Sequence, residues 1–125
     1  MIDVRELTVQ VSAGRGRARL PLLRRAVAGA CARAGLPVDR IDDAVLILEA
    51  LVGDPGTARL DAVHLVLTAR PGSFSLLMGP LAGDEAERLL LDAELPMVGP
   101  IIDRLATTAM TVDDGSHLLV VVDAG

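Results

Sequence analysis

Tryptophan, tyrosine and lysine are missing from the 125 residues, and Phe74 and Cys31 are single representatives of their types. Without stacking rings, the chain lacks the platforms on which single-strand nucleic-acid binders seat bases. Its net charge of −5 argues against the cationic neutralisation that phosphate backbones need. Nucleic acid is therefore not an expected partner. One cysteine cannot form an internal disulfide, so a reducing cytoplasm is the expected compartment. Cys31 sits on an apolar helical face, which points to an inert buried thiol. No apolar run reaches the length that spans a bilayer, and no basic segment precedes a long apolar stretch at the N-terminus. Neither membrane nor signal peptide is expected.

What remains is aliphatic. Hydrophobic residues make up 51% of the chain, supplied by leucine, valine and alanine, enough for one globular domain over residues 1–125. All twelve basic residues are arginine, a compositional habit more than a functional signal. Ile2 to Val11 alternates with its phase slipping near Arg5 and Glu6, and Glu6 to Val11 reads as a half-buried strand. Ser12 to Arg17 reads as a turn. Arg19 to Ala34 is helical, with Leu20, Leu23, Val27, Ala30, Cys31 and Ala34 on one face and Gly35 as its stop. Pro37 opens a second helix, which Gly53 to Gly56 ends as a loop. Asp61 to Ala69 and Ser73 to Met78 alternate around Pro71-Gly72 and form a hairpin. Gly79 to Gly83 breaks the strand. Asp84 to Leu91 reads as a short helix, Pro96 to Pro100 as irregular chain, and Ile101 to Ala106 as a helix running one turn further. Ala109 to Val112 and Leu118 to Val122 form a hairpin around Asp113-Asp114-Gly115. These elements make an α+β two-layer sandwich, with a mixed, mostly antiparallel sheet and helices on one face.

The stretch Ile41 to Gly53, IDDAVLILEALVG, is the chain's organising element. Ile41, Ala44, Val45, Leu48 and Val52 mark one stripe at helical spacing, and Leu46, Ile47 and Leu51 fill most of the remaining surface. A helix apolar nearly all round lies inside a domain. Glu49 is its only charge between Asp43 and Gly53, and such a carboxylate must be paired, hydrogen-bonded or at a cleft.

This order, together with LRRAVAGACARAGLPVDRIDDAVLILEALVG and the C-terminal IIDRLATTAMTVDDGSHLLVVV, resembles the bacterial anti-sigma-factor serine/threonine kinases. These belong to the histidine-kinase-type ATPase domains, the Bergerat fold. In that family the second helix carries Glu-x-x-x-Asn, the Glu a general base and the Asn a ligand of the Mg²⁺ on ATP. The resemblance places Glu49 at the Glu and Gly53 at the Asn, where no side-chain ligand exists. The adenine-binding Asp of the family's Asp-x-Gly-x-Gly stretch falls at Pro80, with Gly79 and Gly83 keeping some glycine character. The glycine-rich lid corresponds to Leu90 to Pro100, where Gly99 is the only glycine and Asp92 and Glu94 repel phosphate. Gly115 and Ser116 loosely match the Gly-Thr pair near the adenine. The nucleotide positions the resemblance implies are thus Glu49, Gly53, Gly79, Gly83, Gly99 and Ser116, with Glu49 as catalytic base and no resident metal. Losing the adenine acid alone weakens binding roughly ten- to a hundredfold, since such a bond is worth about 1.5–3 kcal/mol.

The expectation that follows is an anti-sigma-factor-like transcription regulator acting by protein contact, with ATP binding weakened or lost and no cofactor. Its implied partners are a sigma factor, an anti-anti-sigma protein and a second copy of the chain as a homodimer. The alternative is an active kinase that uses ATP and Mg²⁺ and takes Glu49 as its base. A third reading is an unrelated α/β interaction module. Plainer readings stand beside each residue. Glu49 is a helix Glu with an Arg partner, and Gly53 a helix C-cap. Asp42 and Asp43 complement the helix dipole. His64 and His117 are surface or hairpin-end residues, and Ser73 and Ser75 are strand serines. Arg15, Arg17, Arg19, Arg24 and Arg25 form a solvated basic face or a docking surface for an acidic partner.

Overall fold

Alternation of aliphatic and polar residues lays down the sheet. The fold is known from a computed structural model, which describes residues 6–95 and 98–123. Strand β1 spans Leu7–Gly14, β2 Ala62–Arg70, β3 Ser73–Met78, β6 Thr108–Val112 and β7 His117–Asp123. They form one five-stranded sheet in the order β1-β2-β3-β7-β6, in which every pairing is antiparallel. The expected parallel component is absent among the described strands. The cause is topological: β7 returns between β3 and β6, the two strands that run in the same direction. Strand β1 extends to Gly14 because Ser12, Ala13 and Gly14 pair with His64, Val63 and Ala62, which corrects the expected turn at Ser12. The expectation for Ile2 to Arg5 lies outside the described residues.

Two long helices follow β1: α1, Arg19–Arg33, and α2, Val38–Val52. Leu23, Val27, Ala30, Cys31 and Ala34 of the first helical stretch are buried. Burial pushes the Cys31 thiol up to about 11, so it stays protonated and inert. In α2 the buried set is Ala44, Ile47, Leu48, Ala50, Leu51 and Val52, whereas Val45 is only half-buried. The stripe is thus rotated from the expected one, but the helix is still deeply set. After it, Pro55–Ala58 form a short helical turn, α3, where sequence reading expects plain loop. Asp54 caps that turn by accepting from the Gly56 N–H at 2.8 Å, and Pro55 takes the first position.

Helix α4, Glu85–Asp92, buries Ala86 and Leu89 over β6 and β7, while α1 covers β1 and β2. Glu94–Leu95 (β4) and Gly99–Pro100 (β5) pair as a small ribbon where irregular chain is expected. Helix α5, Ile102–Leu105, stops at Ala106, whose backbone is extended, and does not run on. The turn between β6 and β7 places Asp113, Asp114 and Gly115 at positive φ, as the Asp-Asp-Gly signal implies.

One sheet face is the core side. Leu65, Leu67, Phe74, Leu76, Met78, Leu118 and Val120 lie on it, each fully buried beneath the helices. The opposite face carries no helix among the described elements. Across it Val66, Leu77, Leu119 and Met110 stand side by side in register. No described helix is long and apolar enough to cross a membrane.

Candidate functional site

Where α2 ends, the fold leaves a cleft of about 660 Å³. That lies within the size range of small-ligand pockets. Glu49, Gly53 and Asp54 form one wall, Leu20 and Arg24 of α1 a second, and Arg88, Asp92, Glu94 and Leu95 the third. Each charge is placed by its element. Glu49 sits on the flank of α2 that escapes the core, and α1 packs alongside, so Arg24 Nη2 reaches Glu49 Oε1 at 2.8 Å. The plainer expectation for Glu49, an arginine partner, is what the structure places there. Arg24 Nε is buried with no hydrogen-bond partner among the described residues.

Gly53 is the C-cap of α2, its N–H donating to the Glu49 carbonyl at 2.9 Å. A Cβ there would stand 2.7 Å from that carbonyl oxygen, so the position accommodates hydrogen alone without a shift. Next in sequence, Asp54 is buried. Arg88 Nη2 donates to Asp54 Oδ1 at 2.5 Å and also to Glu85. Burial would raise the Asp54 carboxyl. The bonds from Arg88 and from the backbone N–H of Gly56, with the charge of Arg88, outweigh it and hold the group below its ordinary value. The same contacts, from Glu85 first and then Asp54, hold the Arg88 proton more firmly than usual. Gly56 makes this cluster fit: a Cβ would collide with Arg88 Nη2 and Glu85 Oε1.

The residues singled out in the sequence divide into separate places. Glu49 and Gly53 share the cleft. Gly99 pairs with Leu95 in the ribbon at its edge. Gly79 and Ser116 meet elsewhere, at the end of β3, where a Cβ on Gly79 would come within 2.6 Å of His117 and 2.8 Å of the Ser116 carbonyl. The Leu81 N–H donates to that carbonyl at 2.7 Å, and Ser116 Oγ donates to the Asp113 carbonyl at 2.8 Å. Gly83 adopts a positive φ with open space around it and does not line the cleft. The arginine cluster is largely engaged. Arg15 pairs with Asp61 at 2.8 Å, and buried Arg19 donates to the carbonyls of Gly14, Thr57 and Leu60. With Arg24 on Glu49, three of the five do internal work. His64 accepts or donates at 2.6 Å to Ser12 on the open sheet face, and among the described residues no three His, Cys, Asp or Glu side chains group as a metal site.

Sequence reading missed the Arg88–Asp54 pair. Asp54-Pro55 is a recognisable cap signal and Glu85–Arg88 a recognisable helical pair, but the link spans 34 positions and only the fold supplies it. Comparison with known proteins finds no family model and no curated protein that matches this chain.

Proposed function

We propose that the chain is an anti-sigma-factor-like regulatory protein that works by protein contact and not by nucleotide chemistry. One observation carries the reading: the Glu49 carboxylate is tied to Arg24, with a bare glycine one helical turn further on. A base needs a free lone pair aimed at its proton, and a metal needs a second ligand on the same helix face. Here Arg24 engages Glu49 Oε1, and Gly53 offers no side-chain ligand. The donor set of the cleft does not fit a magnesium polyphosphate. Four carboxylates face two guanidiniums, and each guanidinium is already committed to a carboxylate. Bringing a polyanion into such a cleft costs repulsion from the four carboxylates, while both guanidiniums are already paired among the described residues.

The Bergerat assignment belongs to this proposal. It is supported by the order strand, two long helices and a short one, hairpin, helix, short ribbon, short helix, hairpin, and by a cleft between the second helix and the segment before the last hairpin. The all-antiparallel pairing departs from the mixed sheet of that fold. The proposed partners are a sigma factor, an anti-anti-sigma protein and a second copy of the chain. For the second copy, the open sheet face is the natural surface. Its centre carries Val66, Leu77, Leu119, Val121 and Met110, with Arg70 and Asp123 as charges at one end.

Titration calorimetry with Mg²⁺-ATP tests the nucleotide side. The reading expects no heat of binding. Binding abolished by Glu49→Gln would replace it with the kinase alternative. Direct binding to purified sigma factors and anti-anti-sigma proteins of the same source tests the partner side, and failure with all of them removes the regulatory reading.

A further inference from the structure

One donor on the wall of the cleft has nothing to bond. Arg24 Nε is covered from solvent and finds no acceptor among the described residues, while Nη2 of the same guanidinium stands 2.8 Å from Glu49 Oε1. A covered N–H without a partner costs the fold free energy, and an acceptor brought to it removes that cost. Glu49 shows the complementary gap. Its side chain is 29% exposed, and apart from the Arg24 contact at Oε1 it receives no ion pair or hydrogen bond from a described side chain. Both residues line the cleft of about 660 Å³, beside an apolar wall of Leu20, Pro55 and Leu95. The other charges define the ligand by exclusion. Glu49, Asp54, Asp92 and Glu94 repel an anion. A cation leaves the Nε–H donor unmatched, and Arg88 is already held by Asp54 and Glu85. What fits is an uncharged group that accepts from Nε–H and donates to Glu49, carried on an apolar body. A secondary amide has these two functions on neighbouring atoms, and in a lactam the ring holds both on one edge.

We propose that the cleft binds a small uncharged cyclic amide, its carbonyl oxygen on Arg24 Nε, its N–H on Glu49 Oε2, and its apolar part against Leu20, Pro55 and Leu95. The Nε–H meets the ligand through a turn of the guanidinium about its contact with Glu49, for which Arg24, 43% exposed, has room. The cavity volume lies in the range of small-molecule sites, and an apolar wall with a few placed polar groups is their usual make-up. The proposal goes beyond the protein-contact reading above and does not rest on it.

The test is proton–nitrogen NMR of the full, arginine-labelled chain, titrated with ε-caprolactam and, in parallel, with hexanoate, which keeps the carbon count and replaces the amide by a carboxylate. Caprolactam is expected to shift the Arg24 Nε–H resonance downfield and to move the backbone amides of Leu20, Gly53 and Leu95, with a dissociation constant of about 5 mM. Hexanoate should bind at least about tenfold more weakly. Arg24→Met keeps an unbranched stem and removes the donor, so it should weaken caprolactam by about tenfold or more with an unchanged circular dichroism spectrum. An Arg24 Nε–H that does not shift, hexanoate binding as tightly as caprolactam, or a folded Arg24→Met variant that binds as wild type overturns the proposal. The Nε–H shift is read on the wild-type chain, so the proposal stays open to refutation even where the variant does not fold.

Discussion

Gly53 does not accept a side chain freely. Its would-be Cβ stands 2.7 Å from the Glu49 carbonyl oxygen, so any side chain forces the last turn of α2 to move. Gly53→Asn is expected to lower stability by about 1–3 kcal/mol in urea unfolding and to create no Mg²⁺-ATP binding. A stable variant that gains nucleotide affinity would contradict both the geometry and the functional reading. One residue further, Asp54 carries a pH signature. Its folded value lies below its unfolded one, so its contribution to stability is complete above the unfolded value of about 3.9 and is lost as pH falls through the lower folded value. Wild type should therefore exceed Asp54→Asn in stability by a constant margin above about pH 5, and the margin should shrink on acidification below about pH 4. Urea midpoints across that range check it. A margin that does not change with pH would mean that Asp54 acts through shape alone.

Among the described helices, α2 buries the most residues of its own. Leu48 is fully buried at its centre, so Leu48→Ala is expected to cost about 2–5 kcal/mol, measured by denaturant unfolding. A cost below about 1 kcal/mol would place the helix outside the core. How far the sequence shows these elements depends on the range of the interactions that make them. The β2–β3 hairpin is legible because alternation and Pro71-Gly72 are local, and the last hairpin because Asp113-Asp114-Gly115 calls for positive φ. The end of β1 is not, because Ser12 to Gly14 are polar or small and become strand only by pairing with His64, Val63 and Ala62, far along the chain. The short β4–β5 ribbon is hidden for a similar reason: each strand is two residues long and carries no period. In the cleft, Glu49 and Gly53 are visible as a charge and a cap on one helix. Arg24 and Arg88 are not, since their partners are set by how α1 and α4 pack.

At the scale of the molecule, one sheet face is covered by helices and the other carries none among the described residues. The register places Val66, Leu77, Leu119 and Met110 in a row across four strands, with Met110 43% exposed. Light scattering after size exclusion should give twice the monomer mass, and Met110→Lys should give the monomer mass with an unchanged fold by circular dichroism. A monomeric wild type at high micromolar concentration would remove the second copy from the proposed partners. The account as a whole depends on a cleft whose cations are already taken and whose acids outnumber them. Titration calorimetry of Mg²⁺-ATP into the full chain tests this most directly. The account predicts no saturable heat up to about 1 mM nucleotide and hence no ligand-induced thermal shift. A saturable isotherm in the micromolar range that Glu49→Gln abolishes would contradict it.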